Sequence, residues 1–239
     1  MAHTLLTAFA PDPERLAPLL PCMEHYGVGD PDAEWPNNII SRKTVVYGSG
    51  RISRHDRPAH HAVAPEELAR VQRLAADIAA RMAGVAVGMG SESEDPFYPF
   101  FIAANHDQTP PPAIDEGVIR AAFGDTIFPL ATITVEPLEP AGIWWDEVAA
   151  DTPDAAASGA EAGQHAALQP WRNMIAWFQQ QAFTSTAFIR IGEYEMLSDL
   201  DEDALPPGTE LVGSVLPRLA LGLTQQGSLV GLFGWSVQT

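Results

Sequence analysis

The chain has 239 residues, with 31 Asp and Glu against 13 Lys and Arg and a formal net charge of −18. Charged residues are only 18% of it, below the roughly one quarter usual in globular proteins, so the acidity reflects missing bases rather than surplus acids. A 46% hydrophobic content supports a packed core and argues against disorder, while the charge disfavours broad contact with nucleic acid or anionic membranes.

Residues 11–36 carry six prolines, which limits that stretch to short helical turns because proline lacks an amide proton and clashes inside a helix. The only cysteine, Cys22, allows no intrachain disulfide and is compatible with a reducing compartment. The first residues, MAHTLLTAFAPDPER, lack the basic region of a signal peptide, and no run of about 18 apolar residues exists to span a membrane. The expected localisation is cytoplasmic, without membrane insertion. Thr44–Tyr47 and Arg51–Ser53 flank Gly48-Ser49-Gly50 in the pattern of a tight hairpin.

The clearest helix runs from Pro65 to Met82. Proline suits the first helical position, and Glu66 and Glu67 complement the positive helix end. Leu68, Val71, Leu74, Ala75, Ile78 and Met82 form one apolar stripe. Glu66–Arg70 and Asp77–Arg81 have the spacing of ion pairs on the wet side, and Gly84 is a natural stop. A strand is expected at Val85–Met89 and another at Phe97–Ala104, interrupted by Pro99. Ile114–Phe123 reads as a short helix, Ile127–Val135 as a strand rich in β-branched residues, and Gly142–Trp145 as a short strand.

The small-residue segment 151–168 reads as a surface loop or linker, with enough alanine to support a helical turn. Pro170–Ala182 is a second helix that proline begins. Trp171, Met174, Ile175 and Phe178 share one face of it; Trp177 points to another and calls for a second packing layer or subunit. Thr186–Ile191 and Tyr194–Leu197 are strand candidates. The strongest β signal is C-terminal: Arg218–Thr224 and Ser228–Val237 surround the loop Gln225-Gln226-Gly227, and neither face of either strand is polar. Such strands belong at the centre of a sheet or against another chain. The expected fold is α+β, a mainly antiparallel sheet with two principal helices packed on it, in one domain over 1–239 or two divided near 151–168.

Three groups of residues suggest chemistry. Arg42, Lys43, Arg51, Arg54 and Arg57, opposed by Asp56 alone, form a +4 island in an acidic chain. With the amides around Ser49 they suit an anion or an acidic partner surface, or they neutralise the protein's own acidic loops. His55, Asp56, His60, His61, His106 and Asp107 supply ligand types for a divalent metal, or a general acid and base, if the fold brings them together. Asp146-Glu147 and Glu193/Glu195 are carboxylate pairs, and Trp144-Trp145 is an aromatic pair that suits a core or interface. Gly88-Met89-Gly90-Ser91 lacks a phosphate-loop pattern, and the acidic residues that follow it repel phosphate.

No catalytic motif is complete. The leading expectation is a noncatalytic binding or assembly protein, oligomeric or a subunit of a larger complex, with a protein partner or a second copy bound. The alternatives are a metal-dependent hydrolase or related small-molecule enzyme using the His/Asp group, and a binder of small anionic ligands. No cofactor is implied by any motif.

Overall fold

The computed structural model describes residues 64–92, 94–104, 109–123, 132–151, 160–192 and 214–238. Within them, four helices and five strands form an α+β fold. In chain order these are α1 (Pro65–Arg81), β1 (Tyr98–Ile102), α2 (Glu116–Phe123), β2 (Ile133–Pro137), α3 (Ile143–Ala150), α4 (Ala160–Gln180), β3 (Phe183–Ile191), β4 (Ser214–Thr224) and β5 (Leu229–Gln238). The sheet is antiparallel throughout, in the order β1-β5-β4-β3-β2.

The apolar C-terminal strands are central, as their sequence demands. β5 lies between β1 and β4, and β4 lies between β5 and β3. The loop between them closes with Gly227 N–H donating to the Thr224 carbonyl at 2.9 Å, and with the Thr224 amide donating to the Ser228 carbonyl, also at 2.9 Å. Pro99 lies inside β1, opposite Leu232, and is tolerated because β1 is an edge strand.

One face of the sheet, carrying Phe101, Phe188, Ala220, Val230 and Leu232, packs against α1, α3 and α4. The α1 stripe behaves as its spacing predicts: Val71, Ala75, Ile78 and Met82 are fully buried. Trp177 turns from the face shared by Trp171 and Phe178, and its indole N–H donates to Asp77 of α1 at 2.7 Å. The second packing layer for α4 is therefore α1. The opposite sheet face is also apolar, with Phe100, Ile189, Leu219, Leu221, Phe233 and Trp235 in one cluster that includes Ile119 and Ala122 of α2. Tyr98 stacks on Trp235 with ring centroids 5.5 Å apart.

Several expectations are corrected. Val85–Met89 is not a strand: only Ala86 bridges to Pro96, and Gly88, Met89 and Gly90 all take positive φ. That left-handed turn cannot continue a pleated strand. Gly142–Trp145 is the start of α3. Gly142 has φ +87°, and a Cβ there would lie 2.7 Å from the Glu136 carboxylate, which accepts the Ile143 N–H at 2.8 Å and so caps the helix. Trp144, Trp145 and Val148 are then buried along one helical side.

The second long helix begins at Ala160, so Pro170 lies inside it. The small-residue segment is thus helical from Ala160 onward, alanine being the strongest helix former. Arg70 does not follow the expected pairing either; it reaches Glu67 at 3.6 Å. The strand expected over Ile127–Val135 is observed as Ile133–Pro137, and residues 124–131 lie outside the described residues, as do the expected 44–53 hairpin and Tyr194–Leu197.

Candidate functional site

The basic island and the His/Asp group lie outside the described residues, whereas Trp144, Trp145, Asp146 and Glu147 fall on α3. Arg42, Lys43, Ser49, Arg51, Arg54 and Arg57 lie outside the described residues. So do His55, Asp56, His60, His61, His106 and Asp107. Among the described residues no three His, Cys, Asp or Glu side chains gather where they could hold a metal ion.

Two polar regions stand out instead, at different places on the same sheet. The first is a buried ionic network on the helix-covered face. Arg190 on β3 and Arg218 on β4 are direct cross-strand partners, 4% and 2% exposed. Like charges placed directly opposite destabilise a sheet, and burial raises the cost further. Carboxylates offset it. Arg190 Nε donates to Glu136 of β2 at 3.2 Å, and its Nη1 donates to Glu147 of α3 at 3.1 Å. Arg218 Nη1 donates to the Pro217 carbonyl at 3.1 Å.

Glu136 uses both oxygens, one on Arg190 and one on the Ile143 amide at the start of α3. Trp144, beside that start, donates its indole N–H to the Pro137 carbonyl and stacks on Phe188 at 4.5 Å. The network therefore fixes where α3 sits on the sheet. The sequence pairs Glu147 with Asp146; the fold pairs it with an arginine 43 residues away.

The second region is a cleft of about 380 Å³. Its walls are Pro110 and Pro111, the first turns of α2, and the tip of the β4–β5 hairpin. Each wall is held in place. Asp115 accepts the Val118 N–H at 2.8 Å, capping α2. The Ile114 amide donates to the Ser185 hydroxyl on β3 at 3.2 Å. Gly227 takes φ +89°, and a Cβ there would lie 3.3 Å from Pro110, so the hairpin tip and the proline wall are in close contact.

A buried hydrogen-bonded chain runs beneath the tip. The Thr224 hydroxyl donates to Glu67 of α1 at 2.6 Å and accepts the Ser228 N–H at 3.1 Å. The Ser228 hydroxyl accepts the Ala104 N–H at 3.0 Å. The Gln226 amide nitrogen, in the orientation that satisfies its neighbours, donates to the Glu67 carboxylate. Glu67 is 3% exposed, although its place in the first turn of α1 suggests only a solvated helix-end charge. No sequence signal distinguishes it from Glu66; the docking of the hairpin does.

The glycine turn at 88–90 is tied to the start of the segment after α3 by one exposed hydrogen bond. The Gly90 N–H donates to the Asp151 carboxylate at 2.7 Å, so the chain's own carboxylate occupies the place an anion would take. No helix among the described residues is long and apolar enough to cross a membrane.

No protein-family model matches the chain, and no curated protein is detectably similar to it.

Proposed function

We propose a noncatalytic binding or assembly protein, acting as an oligomer or as a subunit of a larger complex and engaging its partner through the cleft at the hairpin tip. The observation that carries this reading is the preformed shape of that cleft. Its volume of about 380 Å³ is within the roughly 300–1,000 Å³ of small binding sites. Two prolines, a capped helix start and a hairpin fastened by Glu67 make its walls, so little conformational freedom need be lost when a partner enters. In this reading α1 and α4 are the two principal helices of the scaffold. The ionic network under α3 is architectural, since its charges face one another inside the protein.

The test is position-specific crosslinking in extracts of the native source, with a photoreactive residue at Ala121 in the cleft wall or at Ala80 on the exposed side of α1. The expected result is one crosslinked sequence, from a partner or from a second copy, obtained from position 121 and not from 80. Equal or absent crosslinking at both positions, with a monomer in light scattering at every concentration, would overturn the reading.

A further inference from the structure

We propose that the cleft receives a basic side chain, lysine or arginine, presented by a protein partner; this rests on the binding reading above and names its chemistry. What carries it is the charge on the cleft walls. Among the described residues these walls carry one carboxylate and no cationic donor, and several of their neutral donors are already engaged. Pro110 and Pro111 have no amide proton, and the N–H groups of Ala104, Val118 and Gly227 are already committed to Ser228, Asp115 and Thr224. The Gln226 amide nitrogen is committed to Glu67, which leaves its carbonyl oxygen as the group it can offer a ligand.

Acceptors remain. Asp115 presents a carboxylate of which one oxygen caps α2, the single formal charge on the described walls, and the Thr109 hydroxyl accepts or donates. Among the described residues no basic side chain lines the cleft; Arg120, one turn along α2, pairs with Glu116 at 2.7 Å. The positive end of α2 would otherwise favour an anion, but Asp115 and Glu116 already place negative charge there. The remaining surface, from Val118, Ala121 and the two prolines, is aliphatic. An apolar floor with acceptors at its rim matches an aliphatic stem ending in a cationic donor, which is the chemistry of a lysine or arginine side chain.

The probe is Nα-acetyl-lysine methylamide, with Nα-acetyl-norleucine methylamide as its neutral counterpart, titrated into the full chain while backbone amide resonances are followed. The expected shifts concentrate at Val118, Ala121 and Gly227, and the lysine probe binds more tightly than the norleucine probe. Asp115→Asn keeps a capping side chain while removing the charge, and should weaken the lysine probe by about two- to five-fold, the scale of an exposed ion pair. Added salt should weaken the unmodified protein in the same direction, which provides an arm independent of any variant. Ala121→Trp, which fills the cleft from an exposed helix position, should abolish the shift at Gly227.

Equal binding of both probes, unchanged by salt and by Asp115→Asn, would overturn the cationic specificity while leaving the cleft as a binding site. Absence of shifts with either probe would overturn this inference alone, since the crosslinking outcome decides the binding reading separately.

Discussion

The ionic network under α3 and the cleft at the hairpin tip use similar residues for opposite ends. Both rest on carboxylates, Glu67 buried at one and Glu136 and Glu147 half-buried at the other, and both draw partners from distant parts of the chain. In the network, Glu136 and Glu147 turn toward Arg190, and the charges neutralise each other beneath a helix. At the cleft, Glu67 collects the Thr224 hydroxyl and the Gln226 amide, with Arg70 at 3.6 Å on its solvent side. Arg190 with its carboxylates makes a joint between a helix and the sheet. Glu67 pins a hairpin tip to a helix, and the cleft beside that tip keeps the Asp115 carboxylate as the charged group on its described walls.

The largest expected effect breaks the joint under α3. Arg190→Ala should destabilise the fold by about 3 kcal/mol, the low end of the range for a buried pair, because it empties a buried site and leaves the half-buried Glu136 and Glu147 without their cation. Denaturant unfolding measures it. If the joint is purely architectural, Arg190→Met combined with Glu136→Gln should recover much of the loss and leave probe binding at the cleft unchanged. A change in probe affinity would show that the two regions are coupled.

The next effect tests the fastening of the cleft. Thr224→Val should cost about 1–3 kcal/mol, since the Glu67 carboxylate loses a buried donor and the Ser228 amide loses its acceptor. Unlike the arginine variant, it should also broaden or shift the Gly227 resonance. Gly227→Ala comes third, at about 1–2 kcal/mol for a left-handed backbone with a side chain. Its contact with Pro110 should narrow the cleft and weaken the lysine probe.

The smallest effect lies away from both regions. Burial, together with the nearby Asp95 charge, raises the Tyr98 hydroxyl above its ordinary value of 10.0. For an acid raised in the folded state, the native protein holds the proton more tightly than the unfolded chain. Its contribution is therefore complete below the unfolded value and is lost as pH rises through the folded one. Tyr98→Phe should flatten that alkaline loss of stability, as measured by thermal unfolding at a series of alkaline pH values. An unchanged alkaline limb would show that Tyr98 titrates normally.

Much of the fold is legible in the sequence where periodicity and burial agree. The α1 stripe identifies a helix because its larger apolar residues recur once per turn and the other positions are polar or alanine. Residues 214–238 identify central strands because neither face is polar. The errors occur where a short apolar run fits both periods. Gly142–Trp145 reads equally well as a strand, and only the Glu136 cap and the Trp144–Phe188 stack decide for a helix. The alanine-rich start of α4 is missed because Pro170 looks like a boundary. Neither polar region was legible. Glu136, Arg190 and Arg218 are isolated charges in apolar strands, and Glu67 looks like half of an ordinary acidic helix start.

By itself, the sequence determined the class of the fold, the α1 face that packs and the need to cover both faces of β4 and β5, which the sheet order meets by placing them centrally. These follow from local periodicity and from the need to bury apolar side chains, both of which are readable in a window of residues. Only the tertiary structure decided which charges meet. Arg190 finds Glu136 across 54 residues, and Thr224 finds Glu67 across 157. Electrostatic and hydrogen-bond partners are set by distance in space, and no local pattern encodes a contact whose two halves are brought together only when the sheet closes.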